Sequence, residues 1–397
     1  MSTRGALPLY DPYDPSTLHD PYPAYRRLRD EAPVYHQEER NFWVLSRFSD
    51  VFAAVTDSAT FSSARGLTFE PDEILKLGLA PTLVMMDRPE HTTYRRLISR
   101  GFTPRSVATL EPAIRTFVRH RVQTMVEAGN ADFIASLAGP LPSLVVATYL
   151  GVPEQDRGKF DGWSAAIVSA NARGDALDGA SDAVAELYRY FADLIERRRS
   201  EPGDDMLSDL ARAEVDGEPL DLLALLGYCF VMIAGGNDTV TGLLGGAAVA
   251  LTEQPDQRRL LVDTPGRIPA AVDELLRLVS PVQGLSRTTT RAVAIADVTI
   301  GAGEKVHLLY GSANRDPREW GPHADDLKVD RQIPRMLAFG GGPHHCIGAA
   351  AARLQSRVAL EELLAAMPDF VVDPERGRLA PGPFVRRYES LPLQVAP

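Results

Sequence analysis

The chain has 397 residues, 45% of them apolar and 24% charged. Such proportions belong to a globular protein with ample material for a packed core, and they exclude long disorder. Forty-two basic against fifty-three acidic side chains leave a net charge of −11, which argues against nucleic acid or an anionic membrane as a general partner.

The opening residues, MSTRGALPLYDPYDP, are polar and broken by proline, unlike a signal peptide or a membrane anchor. Residues 22–30 read as a short amphipathic helix stopped before Pro33. Two short strands follow at Val34–His36 and Phe42–Ser46, then a helix near Asp50–Thr56. From 60 to 85 the text is irregular, with Gly66, Pro71, Gly78 and Pro81 among scattered apolar residues. A loop of that length inside a compact protein usually serves a function, and this one is apolar enough to line a pocket.

Helical periodicity then takes over at Glu90–Arg100, Arg105–Ala128, Pro142–Leu150, Gln155–Ser169 and Ala180–Arg199. The longest helical pattern, Asp221 to Glu253, lies between Pro219 and Pro255. At 1.5 Å per residue it is about 50 Å long, enough to cross the molecule. Its most apolar stretch, Leu222 to Ala234, is shorter than the roughly 20 residues a bilayer-spanning helix needs. No membrane anchor is expected. After residue 280 the pattern turns to strands at Leu285–Thr290, Val293–Ala296, Lys305–Tyr310, Phe384–Arg387 and Leu391–Val395, with one more helix at Ala349–Ala366. The reading is a single, mainly α domain over 1–397 with a small β-rich part (α+β). Two distant cysteines, 229 and 346, form no disulfide framework and fit a cytoplasmic protein.

Residues 339–348 read Phe-Gly-Gly-Gly-Pro-His-His-Cys-Ile-Gly, and a helix of small residues follows. The glycines and proline shape an open loop that places Cys346 just before a helix N-terminus, where amide donors and the helix dipole favour thiolate. A thiolate on a fixed loop is a soft metal ligand. Two adjacent histidines also admit zinc, although no second Cys/His pair has finger-like spacing, or a Cys–His nucleophile. Cys229 reads as a small buried hydrophobe. In the middle of the longest helix stands Ala234-Gly235-Gly236-Asn237-Asp238-Thr239. Glycine there costs about 1 kcal/mol against alanine, and a buried acid needs a partner. Asn237-Asp238-Thr239 also spells a glycosylation sequon, discounted because it lies within a buried helix.

Phe339, Gly342, Cys346 and Gly348 match the pattern Phe-x-x-Gly-x-x-x-Cys-x-Gly, and in this the chain resembles the cytochrome P450 family over essentially its whole length. The resemblance implies that fold, with the long central helix over a haem. It makes Cys346 the ligand to the iron of haem b. His91 and Arg95, four apart on one helix face, match the family's propionate pair, and Arg287 and His344 match two further propionate positions. Glu274 and Arg277 match Glu-x-x-Arg, and with Arg331 they are expected to form a buried structural triad. Asp238 and Thr239 match the acid–alcohol pair that delivers protons during oxygen activation; Val240 stands where many members carry a second hydroxyl. A pocket is expected from Phe69, Val84, Met85, Val231, Ala234, Gly235, Val282, Leu285 and Phe384.

The activity so implied is a monooxygenase that inserts one oxygen atom from O2 into a small-to-medium apolar substrate. The chain carries no Walker loop or dinucleotide fingerprint. Electrons are therefore expected from a ferredoxin and its ferredoxin reductase, docked where Arg335, Arg353 and Arg357 make a local basic patch beside the cysteine loop. A peroxide-driven enzyme has no use for Asp238 and Thr239. A haem sensor usually exposes Cys-Pro, and here Ile347 follows the cysteine.

Overall fold

The computed structural model describes residues 8–69, 82–173 and 181–395. Six helices frame the site: α1 (Glu90–Ser99), α2 (Glu111–Ala128), α3 (Pro140–Tyr149), α4 (Leu222–Glu253), α5 (Ile268–Val279) and α6 (Ala349–Ala366). The strands that matter are β1 (Val34–Gln37), β2 (Phe42–Leu45), β3 (Phe61–Ser62), β4 (Leu285–Thr289) and β5 (Lys305–Leu308). They form one mixed sheet in the order β1-β2-β5-β4-β3, antiparallel except for the β2–β5 pair.

The central helix α4 starts where the Asp221 carboxylate accepts the Ala224 amide at 2.7 Å, and it stops one residue before Pro255. Apolar residues surround it almost completely, so it is a core helix. Among the described residues it is also the one helix long and apolar enough to cross a membrane, and 56% of its most apolar window is buried inside the protein. Its second half packs with α2, α5 and α6 into one cluster around Leu243, Leu244, Ala247 and Leu251. Its first half joins a second cluster that includes Ile347, the residue after the cysteine.

Several boundaries depart from the sequence expectation. The expected helix 105–128 is two helices, Pro104–Ala108 and α2, because Thr103 caps the first at 3.3 Å and Pro112 restarts the second. Tyr310 belongs to a short helix, Tyr310–Ala313, rather than to β5. The expected strand at 384–387 is a crossing segment with a single bridge, Val282 to Val385; pairing resumes at Tyr388–Ser390 and Pro392–Gln394. Part of the expected pocket loop, 70–81, lies outside the described residues.

Candidate active site

The cysteine loop is held by its own backbone. The Cys346 amide donates to Phe339 O at 2.9 Å, and Gly340 N donates to Leu337 O at 2.9 Å. Gly340 and Gly342 take φ of +64° and +59°, which a side chain rarely adopts. A Cβ on Gly341 would stand 2.7 Å from Val55 Cγ2, and one on Gly342 would collide with the Val55 carbonyl. The run of glycines therefore lets the loop lie against the helix Phe48–Thr56. Phe339 packs at the edge of the core, with the Arg353 guanidinium 4.7 Å from its ring centroid.

Cys346 is reachable from solvent, yet protein atoms crowd around its thiol. Burial pushes that thiol up; the Gly348 amide, Arg95 and Arg353 pull against it and are outweighed. The helix-terminus argument thus has the right sign, but burial wins. A coordinated metal would reverse the balance, because it deprotonates a thiol outright. Cys229 is fully buried and its thiol is pushed up by burial.

Beside the loop the structure brings together His91, Arg95, Arg287 and His344. The His91 and His344 ring centroids are 4.2 Å apart. Arg95 Nη2 donates to His345 O at 2.6 Å, and Arg287 Nη1 to Ser286 O at 2.8 Å. Burial first, then the neighbouring arginines, push both imidazoles down, His344 to about 3. His91 Nε2 is buried without a partner. Neither arginine has a carboxylate among the described residues. Asp87 acts on His91 but is bound to Ser62 and Ser63, so two guanidinium charges and an orphaned imidazole nitrogen with no paired carboxylate among the described residues call for one or two carboxylates from a ligand. With a soft thiol nearby, this donor set fits haem and its propionates.

The central helix divides its glycines. A Cβ on Gly236 would stand 2.6 Å from Val146 Cγ2 on α3, so that glycine serves close packing. Gly235 has nothing within 4 Å of that position. Together with Val231 and Thr239 it makes an accessible stripe at four-residue spacing in the middle of the helix, with Ala234 half-buried beside it. Thr239 Oγ1 donates to Gly235 O at 3.0 Å. Asp238, on the other side, is 5% exposed and pairs with Arg387. Burial pushes its carboxyl up to about 6 against the pull of Arg387, and Glu389 adds to the rise. Asn237 is buried, consistent with discounting the sequon.

Of the expected pocket residues, Val84, Met85, Val282, Leu285 and Phe384 are half-buried. Phe69 is buried in an aromatic cluster, stacked 4.5 Å from Phe42 and tilted against Phe384 at 4.8 Å, so it backs Phe384.

Glu274 and Arg277 are both fully buried and joined at 2.6 and 2.8 Å. Arg331 reaches Glu274 at 3.1 Å, and Arg277 also donates to the carbonyls of Asn314 and Ala324, each at 2.7 Å.

The expected basic patch is not free charge. Arg335 is paired with Glu319, Arg353 with Asp273, and Arg357 with Glu111 and Glu361. Arg115 adds bonds to Glu111, Glu361 and Glu362, and Arg119 one to Glu362, so α2 and α6 share a balanced network. Sequence reasoning also missed Arg387; its one signal was a basic pair, Arg386-Arg387, after an apolar stretch.

The Cytochrome P450 family model matches residues 268–376, which hold the Glu274 triad and the cysteine loop. The chain is 54% identical over 388 residues to Cytochrome P450 130 of Mycobacterium tuberculosis, covering 96% of each. It is 34% identical to the Vitamin D(3) 25-hydroxylase of Pseudonocardia autotrophica, covering 98% of this chain and 97% of that one. The structure of Mycobacterium marinum cytochrome P450 CYP268A2 in complex with pseudoionone superposes with a TM-score of 0.88 at 31% identity, over 97% of this chain and 99% of that one. A mainly α fold with a small sheet, built around a thiol and a carboxylate-seeking cradle, defines a haem-thiolate protein. The chain belongs to the cytochrome P450 family. It is a monooxygenase of bacterial type, a class that uses haem-thiolate iron and O2.

Proposed function

We propose that the chain is a single-domain cytoplasmic enzyme that holds haem b on Cys346 and inserts one oxygen atom from O2 into a small-to-medium apolar substrate. The observation that carries this reading is the cradle of Arg95, Arg287, His91 and His344, whose arginines have no paired carboxylate among the described residues and which lies beside an accessible thiol. The haem, when bound, supplies oxygen activation and electron-transfer chemistry. Arg95, Arg287, His91 and His344 bind its propionates. Phe339, Gly342 and Gly348 shape the loop. The Glu274–Arg277–Arg331 triad supports it from within the fold.

The chain's own part in the reaction is to orient the substrate, exclude water and move protons. Apolar Val84, Met85, Val231, Ala234, Val282, Leu285 and Phe384 offer the substrate no charge. That suits an uncharged carbon skeleton, as do the ligand and activity named for the two relatives just described. Thr239 holds a water or hydroxyl at the accessible stripe, and Asp238 passes a proton to it. Asp238 suits this because burial brings its carboxyl near neutral pH, where it both takes and gives a proton. The contacts of Asp238 with Arg387 and of Thr239 with Gly235 O are also those of a purely structural pair, and the product distinguishes the roles. With a well-coupled substrate, Thr239→Ala is expected to keep haem content and substrate binding while most reducing equivalents appear as hydrogen peroxide. Unchanged product per electron would remove this threonine from the mechanism.

For the electron donor, the exposed arginines of α1, the turn after it and the short helix Pro104–Ala108 replace the expected patch. Arg96, Arg100 and Arg105 are exposed and have no ion pair among the described residues. The bond from Arg95 to His345 O sets this helix against the cysteine loop. A small acidic ferredoxin, itself reduced by a ferredoxin reductase, docks here.

A further inference from the structure

The C-terminal segment 384–388 crosses the central helix at Gly242. A Cβ there would stand 2.7 Å from Arg386 O, 3.3 Å from Pro281 Cβ and 3.4 Å from Arg387 Cβ. The segment is fastened on both sides. Arg386 N donates to Pro281 O at 2.8 Å, Gln283 N to Phe384 O at 2.8 Å, and Ala380 N to Arg387 O at 2.9 Å. Asp238 lies one helical turn before Gly242, and Arg387 reaches back to it: Nε stands 2.5 Å from Oδ1, with the two side chains only 8% and 7% exposed.

The ion pair is the one contact of these two atoms, and neither has a further hydrogen-bond partner among the described residues. Asn237 Oδ1, the next residue along, is buried without a partner as well. Buried polar atoms left without a further partner are the usual place for ordered water. A carboxylate held in place by charge, with a lone pair left over, is able to exchange a proton with such water.

We propose that Arg387 is a positioning residue for proton transfer through Asp238, delivered to the central helix by the C-terminal segment. The proposal rests on the reading of Asp238 as the proton carrier. In the step, Asp238 gives a proton to the water or hydroxyl held at Thr239 and takes one from water on its outer side. Arg387 keeps all its protons, and no electron moves.

Arg387 and Glu389 are the charged groups acting on this carboxyl. The turn Ile134–Ala138 and helix α3, packed on the same part of α4, carry no charged side chain. On α5, Asp273 is paired with Arg353, and Glu274 with Arg277 and Arg331. Asp161, on the helix Arg157–Arg173, is bound to Ser143. Without Arg387, only burial and Glu389 act, and both favour the protonated acid. The midpoint must then move to higher pH, by at least about one unit.

The test uses the holoenzyme with three variants, Arg387→Met, Arg387→Lys and Asp238→Asn. Infrared difference spectra, with Asp238→Asn subtracted, follow protonation of the Asp238 carboxyl. Product per electron is measured over the same pH range with a well-coupled substrate. In wild type both are expected to turn near pH 6. In Arg387→Met both should shift upward together, and Arg387→Lys should restore most of the wild-type profile at equal haem content. A carboxyl midpoint that stays put in Arg387→Met overturns the proposal, whatever Asp238 does in turnover. A midpoint that moves while the coupling profile does not overturns the relay reading of Asp238, and with it any part for Arg387 in proton transfer.

Discussion

Glu274 has no solvent contact, and its Oε1 accepts from the Lys328 amide at 3.0 Å and from Arg331 at 3.1 Å besides its bonds to Arg277. Removing one side of a buried pair leaves the other charge uncompensated, at roughly 3–5 kcal/mol. Glu274→Ala should therefore lower Tm by roughly 4–6 °C, given about 2 cal/mol/K of unfolding entropy per residue in a chain of this length. A scan of the holoenzyme showing no loss would make the triad incidental. From the segment alone Glu274 and Arg277 are an i,i+3 pair equally at home on a solvated surface, and the burial expected of them came only with the family resemblance. Burial comes from the segment 314–331, which lies tens of residues away, and local pattern does not carry that. Cys346 shows the same limit. Its place before a helix was legible, but the burial that outweighs the dipole was not.

At the scale of elements, periodicity located the long helices because each buries an apolar stripe, a broad one on α4. It did not sort the glycines of α4. Gly235 opens onto the site, Gly236 admits Val146, and Gly242 admits the backbone of Arg386. All three look alike in the sequence, and only their neighbours differ. The segment 384–387 reads as a strand, yet a crossing over α4 uses its backbone groups one or two at a time. That crossing carries Phe384 to the aromatic cluster and Arg387 to Asp238. Residues that act together here come from elements more than a hundred positions apart, so the site was legible where a compact motif holds it, as in the cysteine loop, and illegible where the fold assembles it.

For the whole molecule, a net charge of −11 repels an acidic partner at long range, so any docking face must hold locally unpaired cations. Counting arginines near the cysteine loop selected Arg335, Arg353 and Arg357, whose charges are matched by Glu319, Asp273, Glu111 and Glu361. Arg96, Arg100 and Arg105 are left. Because screening acts over about 8 Å at physiological ionic strength, first-electron transfer from a ferredoxin should slow as salt rises. Arg100→Glu should slow it several-fold at low salt and flatten the salt dependence, whereas Arg335→Gln should change little. Stopped-flow reduction rates equal in wild type and Arg100→Glu would remove this face as the docking site. The central claim is that Cys346 carries the haem as its thiolate ligand, and the carbon monoxide difference spectrum of the reduced protein tests it most directly. Wild type and Cys229→Ser should both give the red-shifted band that a thiolate ligand confers, and Cys346→Ser should lose it. The same band in Cys346→Ser as in wild type would contradict the account.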